Sequence, residues 1–318
     1  MEISLYASTY GSLVMGVFLV FFNLPVMIFA TFNTKLRCYY GVLIMSLLNG
    51  FIIGVVSIGY SIFRLVIEAK GRTNETVCIT DCFFNPLTFF LLWTFPMNGL
   101  SLLMISVDRF IVVIFPLFYF RHSKGVIIAI NVVAILINIV LLAFTIGFTL
   151  LEQSKDARVN ILCDQSRFLS VTMYTFVAGA RITFSVGFIL LMMAVLLCLR
   201  WQHHVKVKQA FQTEMELNKF SKRQMEFTRT MLVSCAATFL FFVLPSALAI
   251  IGQVCNFNAR EDISTWTRFV NFFNSFNIAI LVLYRQRDMR RRMFFAVKKI
   301  PFGRLLNLKT STVHSCTE

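Results

Sequence analysis

Long apolar runs constrain this chain more than any other feature it carries. Crossing a bilayer core of about 30 Å takes roughly 20 apolar residues in a helix. Windows of that length mark seven runs, at 8–31, 40–64, 83–108, 125–150, 168–199, 230–254 and 265–284, and no eighth. Backbone amides in hydrocarbon must be hydrogen-bonded internally, so runs of this length have to be helical. The expectation is an all-α integral membrane bundle of seven transmembrane helices within residues 1–300, followed by a cytoplasmic tail at 301–318. Composition agrees: 58% of the residues are hydrophobic and 14% charged, outside the range of ordinary soluble domains. The first run is too long for the core of a signal peptide and no basic stretch precedes it, so it reads as the first helix. The two halves show no repeat, which weighs against a transporter.

Basic residues orient the bundle. Of the 30 Lys and Arg, 21 fall beside alternate span ends on one side, and 8 fall on the other. The basic side is the cytoplasmic one. Seven spans then put the N-terminus outside and the C-terminus inside. The net charge of +15 is on this reading a topology signal with a share available to anionic membrane lipid. It is not a nucleic-acid footprint, because the basic residues flank helices and lack interleaved stacking aromatics. The sequon Asn74-Glu75-Thr76 lies on the assigned outside and is a candidate glycosylation site. So do Cys78, Cys82, Cys163 and Cys255, where disulfides can form. Four cysteines allow three connectivities. We favour Cys82–Cys163, which ties the top of the third span to the long outer loop, with Cys78–Cys255 as a candidate second bridge.

An acid and a base stand side by side at the cytoplasmic end of the third span, Asp108 and Arg109, followed by Phe110. A helix end at headgroup level accounts for such charges without a function, since Arg can snorkel there. The surrounding text points further. Ser101 to Phe110, then Pro116-Leu117 and Tyr119, resembles the D-R-Y, five residues, P-L-x-Y stretch of rhodopsin-like G-protein-coupled receptors. Other segments align in order. Asn23 resembles the polar landmark of that family's first helix, Leu36-Arg37 its first inner-loop pair, and Met45-Ser46-Leu47-Leu48-Asn49 its L-A-x-x-D. Phe239 and Pro245 resemble its F-x-x-C-W-x-P. Arg285, Arg287 and Arg290 to Phe295 resemble its short amphipathic eighth helix. The resemblance covers residues 8 to 300. It departs at Asn49, which replaces an aspartate, at Phe242-Val243-Leu244-Pro245, which lacks the tryptophan, and at Asn277 to Tyr284, which is not N-P-x-x-Y. With the Phe-rich, short chain, this mixture resembles the nematode serpentine chemoreceptors of the srbc or srsx-like classes.

The resemblance implies a receptor for a small external ligand that activates a heterotrimeric G protein. Asp108, Arg109 and Phe110 would carry the coupling, with Asp108 restraining Arg109 at rest. Asn49, Phe239 and Pro245 would belong to the conformational switch, with Pro245 removing one backbone hydrogen bond from span six. No cofactor is implied. The ligand would lie between the outer thirds of spans three, five, six and seven, which makes Leu91, Leu92 and Phe95 candidates. Each is also explained by packing alone. Arg181 sits about a dozen residues into span five, at a depth where ionisable groups are rare and face the bundle interior. Bonds to backbone carbonyls or to Asn and Ser side chains would account for it. The functional reading is an acidic or strongly hydrogen-bond-accepting ligand. A channel or transporter is disfavoured because no paired acid accompanies Arg181 along a path. An enzyme is disfavoured because His122, His203, His204 and His314 all fall on the inner side. A neuropeptide receptor is the alternative within the receptor class; the short, nearly charge-balanced outer loops favour a small ligand.

Overall fold

The structure is a computed structural model, and it describes residues 2–32, 34–73, 75–152, 157–163, 165–209, 233, 235–255, 263, 266–267 and 269–276. Helices α1 (Glu2–Phe32) and α2 (Thr34–Ala69) are followed by a short strand β1 (Thr76–Cys78) and helices α3 (Ile79–Phe84), α4 (Pro86–Ile114) and α5 (Pro116–Glu152). Strand β2 (Arg158–Asn160) leads into α6 (Gln165–Phe168) and α7 (Val171–Gln209). A π-helical stretch, Phe239–Val243, runs into α8 (Leu244–Val254), and residues 269–276 form a further helical run.

Among the described residues six helices are long and apolar enough to cross a membrane: Thr9–Phe32, Gly41–Ala69, Pro86–Ile114, Arg121–Glu152, Val171–Trp201 and Cys235–Gly252. This is a multi-pass, all-α membrane protein. The seventh expected span, 265–284, is described only in part, and the expected eighth helix, the 301–318 tail and Asn74 lie outside the described residues.

Local chemistry explains where α4 begins and ends. Asn85 is its N-cap, accepting the Leu87 N–H at 3.0 Å, and Pro86 takes the first helical position, where its missing N–H costs nothing. Pro116 at the far end forces Phe115 out of helical geometry, φ −121° and ψ 61°, and opens α5. The sequence placed the end of this span at Asp108; the apolar Phe110 to Ile114 continue the helix another turn and a half.

Helix α4 is the most buried span, with 61% of its apolar window inside the bundle, against 28% for α5 and 22% for α7. Thus α4 is the axis, and α5 and α7 turn broad faces to lipid. The main core joins Val26 and Ala30 of α1, Leu47 of α2, Leu100 and Leu102 of α4, Ala134 of α5, and Phe188 and Met192 of α7. Helices α1 and α2 come close at two facing glycines. A Cβ on Gly54 would stand 2.9 Å from the Gly16 carbonyl oxygen, and one on Gly16 would stand 2.9 Å from that of Gly54. Small residues allow such contact where burial from water gives no drive between helices.

One end of the bundle is closed by the loops. Strands β1 and β2 pair antiparallel, with Val77 opposite Val159 and Cys78 opposite Arg158. Cys82 and Cys163 form a disulfide, with Cα atoms 5.5 Å apart. The candidate second bridge does not form: Cys78 sits in the β1–β2 ribbon, Cys255 is exposed after α8, and both thiols are free. The Tyr60 hydroxyl donates to the Leu162 carbonyl, which fastens α2 to the same loop.

Candidate functional site

Two clusters of polar groups lie in the bundle, one at each end of α4. The first is built on Asp108. Its side chain is 2% exposed, an environment that a carboxylate tolerates only when paired. Arg109 Nη2 stands 3.1 Å from Asp108 Oδ2. The Tyr119 hydroxyl, from the first turns of α5, donates to Asp108 Oδ1 at 2.8 Å. Tyr119 reaches Asp108 because Pro116 restarts the chain as a new helix only three residues earlier. Burial, and then the negative charge of Asp108, push the Tyr119 phenol well above its ordinary range, so it remains a donor. Charge-assisted bonds of this kind are the strong ones. Together they fix the carboxylate from two sides and hold the Arg109 fork against α4. Phe110 beside them is half-buried.

The second cluster lies three to four turns along α4, toward the disulfide. Arg181 of α7 is 8% exposed. Its guanidinium carbon is 5.1 Å from the centre of the Phe95 ring and 5.2 Å from that of Phe242, within cation–π range. Phe95 also faces Phe272, with ring centres 6.5 Å apart. Close approach of α7 to α4 is permitted by Gly99, where a Cβ would be 3.1 Å from the Arg181 carbonyl oxygen and 3.2 Å from Ser185 Oγ. One turn farther toward Asp108, Asn98 donates to Ser275 Oγ at 3.3 Å and Thr238 donates to Asn274 Oδ1 at 3.0 Å. One turn beyond Arg181 in the other sense, the Thr267 hydroxyl donates to the Pro245 carbonyl at 3.1 Å. Ser275 and Asn274 thus join helix 269–276 to α4 and to the span-six helix, and Thr267, before that helix, adds a second contact to span six.

The structure brings together Phe95 and Arg181 among the sequence-derived ligand candidates. Leu91 packs with Val56, Tyr60 and Phe95 against α2, whereas Leu92 lies with Cys82, Cys163 and Phe168 beneath the disulfide. Asn49 is buried and donates to the Thr94 carbonyl at 3.2 Å. Phe239 faces outward at 49% exposed, and Phe242 occupies the interior position. Pro245 comes one residue after the cap of the π-helical stretch, and the Leu244 N–H reaches back to the Phe239 carbonyl. A π-turn widens the helix by one residue and is common at functional sites.

Three residues of this region were not singled out in the sequence. Phe242 was hidden in a continuous apolar run. Asn271 is 2% exposed and, among the described residues, neither its oxygen nor its nitrogen has a hydrogen-bond partner; Ser246, also 2% exposed, has none among them either. Asn271 was legible: Thr267, Asn271, Asn274 and Ser275 recur at helical spacing among Phe269, Val270, Phe272, Phe273 and Phe276.

Compared with known proteins, the chain matches no protein-family model and no curated protein.

Proposed function

We propose that this protein is a seven-span receptor of the rhodopsin-like type, which binds a small external ligand and activates a heterotrimeric G protein. The observation that carries the reading is the Tyr119–Asp108–Arg109 group. A buried carboxylate at one end of the central helix, held by an arginine and a tyrosine, is a restraint on that arginine. Arg109 suits a switch because it stays charged when desolvated and presents a rigid donor fork. At rest Asp108 holds it. Ligand binding at the far end favours a second arrangement of the span-six helix, and Arg109 then turns to the Gα subunit. The ligand supplies only a difference in affinity between the two forms. Span six is suited to two arrangements, because Pro245 removes a backbone hydrogen bond close after a π-turn. Disulfide formation at the Cys82–Cys163 end supports placing that end outside, where thiols oxidise, and leaves the Asp108 end facing the cytoplasm. Resemblance to the nematode chemoreceptors makes a chemosensory role at the plasma membrane, in sensory endings, the specific form of the proposal.

Arg109→Ala tests it. Surface level should be preserved and ligand-driven guanine nucleotide exchange lost. Retained exchange in that variant, at equal surface level, would count against the mechanism.

A further inference from the structure

Chain geometry pins one short segment to the membrane surface. The α4 span ends at Ile114 and the next span begins at Arg121, so residues 115–120 between them lie at headgroup level. They form a separate helical piece. Pro116 opens it, the Tyr119 N–H reaches back to the Phe115 carbonyl at 2.9 Å, and the non-helical His122 divides it from the span. Tyr119 turns inward and holds Asp108. Phe115 and Phe118 stand out, 58% and 54% exposed. Phe118 stacks on the exposed ring of His122, with centres 5.0 Å apart. From His122 onward Gly125, Ala129, Val132 and Leu136 recur at helical spacing, and all are exposed. The ring pair therefore stands at the head of the lipid-facing stripe of α5. Charge completes the pattern. Arg121 and Lys124, on either side of the kink, are exposed. From Arg109 to Leu151 the chain carries no Asp or Glu. Among the described residues the only acid at this end of the bundle is Asp108, which is buried against Arg109 and Tyr119. Gly41 of α2 packs against the Ile127 side chain of α5. Arg37 lies one turn before Gly41, and Lys124 one turn before Ile127, so α2 adds a third basic position at the same level.

We infer that this face seats an anionic phospholipid, its headgroup met by Arg121 and Lys124 and its upper acyl carbons by Phe118 and the α5 stripe behind it. The receptor reading enters only in naming this side cytoplasmic, where anionic lipids concentrate; the seat stands on the geometry. Exposed apolar rings rimmed by polar groups mark an interaction surface. Arg and Lys suit the rim of such a seat, because their stems lie along hydrocarbon while their heads reach the phosphate. A soluble partner could meet the two cations and Phe115, but not the stripe from Gly125 to Leu136, which lies within the span. A zwitterionic lipid would bring its own cation against Arg121 and Lys124, so the seat prefers a lipid of net negative charge.

The test separates the seat from the signalling. Purified full-length protein in detergent is unfolded thermally with dioctanoyl phosphatidylglycerol, dioctanoyl phosphatidylcholine or glycerol 3-phosphate. A saturable rise in unfolding temperature with phosphatidylglycerol, a weaker one with phosphatidylcholine and none with the chainless phosphate are expected. A basic residue at an anionic membrane surface is worth about fivefold in affinity, so Arg121→Gln and Lys124→Gln should each weaken phosphatidylglycerol by about that factor. Phe118→Ser should weaken both lipids. All three side chains are exposed, so their replacement leaves the core intact. Arg200→Gln removes an exposed charge near the end of the α7 span and should leave phosphatidylglycerol binding unchanged. No saturable rise with phosphatidylglycerol, equal rises with the two lipids, or an equal loss from Arg200→Gln would each overturn the assignment. So would an Arg121→Gln/Lys124→Gln protein that binds phosphatidylglycerol as the parent does but loses nucleotide exchange in lipid-free detergent, because the face would then dock a protein. Phosphatidylglycerol binding with no exchange on any Gα refutes the receptor reading and leaves the lipid seat.

Discussion

Replacing Gly54 by Ala should loosen the α1–α2 pair. The new Cβ would stand 2.9 Å from the Gly16 carbonyl oxygen, 2.9 Å from Val20 Cγ2 and 3.0 Å from Leu19 Cβ, where ordinary contact begins near 3.4 Å. The Val20 methyl can rotate, but the Gly16 carbonyl belongs to a helix backbone, so α1 must retreat as a body by about 0.5 Å. A gap of that size forfeits a quarter to a half of each atom-pair attraction of ~0.1–0.2 kcal/mol. Over some 40 pairs along the crossing this amounts to roughly 2 kcal/mol, the usual size of an overpacking penalty. Ala has better helix propensity than Gly by up to ~1 kcal/mol, so a net loss of about 1–2 kcal/mol remains. Gly147 and Gly179 are the controls, because a Cβ at either meets nothing within 4 Å. Their Ala variants receive the propensity gain alone. Thermal unfolding of detergent-solubilised protein should show Gly54→Ala several degrees below the parent, with Gly147→Ala and Gly179→Ala at or above it. Equal behaviour of all three variants would refute the close crossing.

Cys163→Ser opens a link between residues 81 positions apart; chain entropy values such a crosslink at about 4.5 kcal/mol in a free polymer, and the observed loss should be smaller because α4, α5 and α7 remain threaded through the bilayer, as comparison of unfolding temperatures with and without reductant will show. Tyr119→Phe removes a donor to a buried carboxylate and should cost about 1.5–3 kcal/mol. The Tyr119 phenol is raised above its ordinary value of about 10, so its contribution is complete below that pH and is lost only as pH rises through the raised value; the stability difference between parent and Tyr119→Phe should be flat from mildly acidic to mildly alkaline pH.

The apolar runs fixed the helices because length and hydropathy are properties of single segments. Their ends were harder to read. Arg64 looked like the close of span two, yet α2 runs on to Ala69, since a guanidinium stacked on Tyr60 can stay inside the helix bundle. Likewise Asp108 looked like a headgroup charge, and only the fold shows it buried between Arg109 and Tyr119. Span four, expected to start at 125, begins at Arg121; the turns that Pro116 opens precede it across a kink at His122, φ −121° and ψ 22°. The sequence pointed to Arg181 and Phe95 separately by depth and position, but not to their contact, which needs Gly99 to bring α7 against α4. The π-turn at Phe239–Val243 left no trace in the pattern. In a run of five apolar residues no polar position marks the change of register, and Phe239 was named from the resemblance alone, whereas Phe242 is the residue the fold turns inward.

The account turns on Asp108 holding Arg109 in a resting form, and this can be measured without knowing the ligand. Asp108→Asn keeps the shape and the Tyr119 hydrogen bond but removes the charge that pairs with Arg109. Reconstituted in lipid with a panel of purified heterotrimeric G proteins, the variant should raise basal guanine nucleotide exchange several-fold over the parent on at least one of them, and Asp108→Asn combined with Arg109→Ala should abolish the rise. Basal exchange equal to that of empty lipid vesicles for every G protein, from Asp108→Asn protein that is folded at its parent's unfolding temperature, would contradict it.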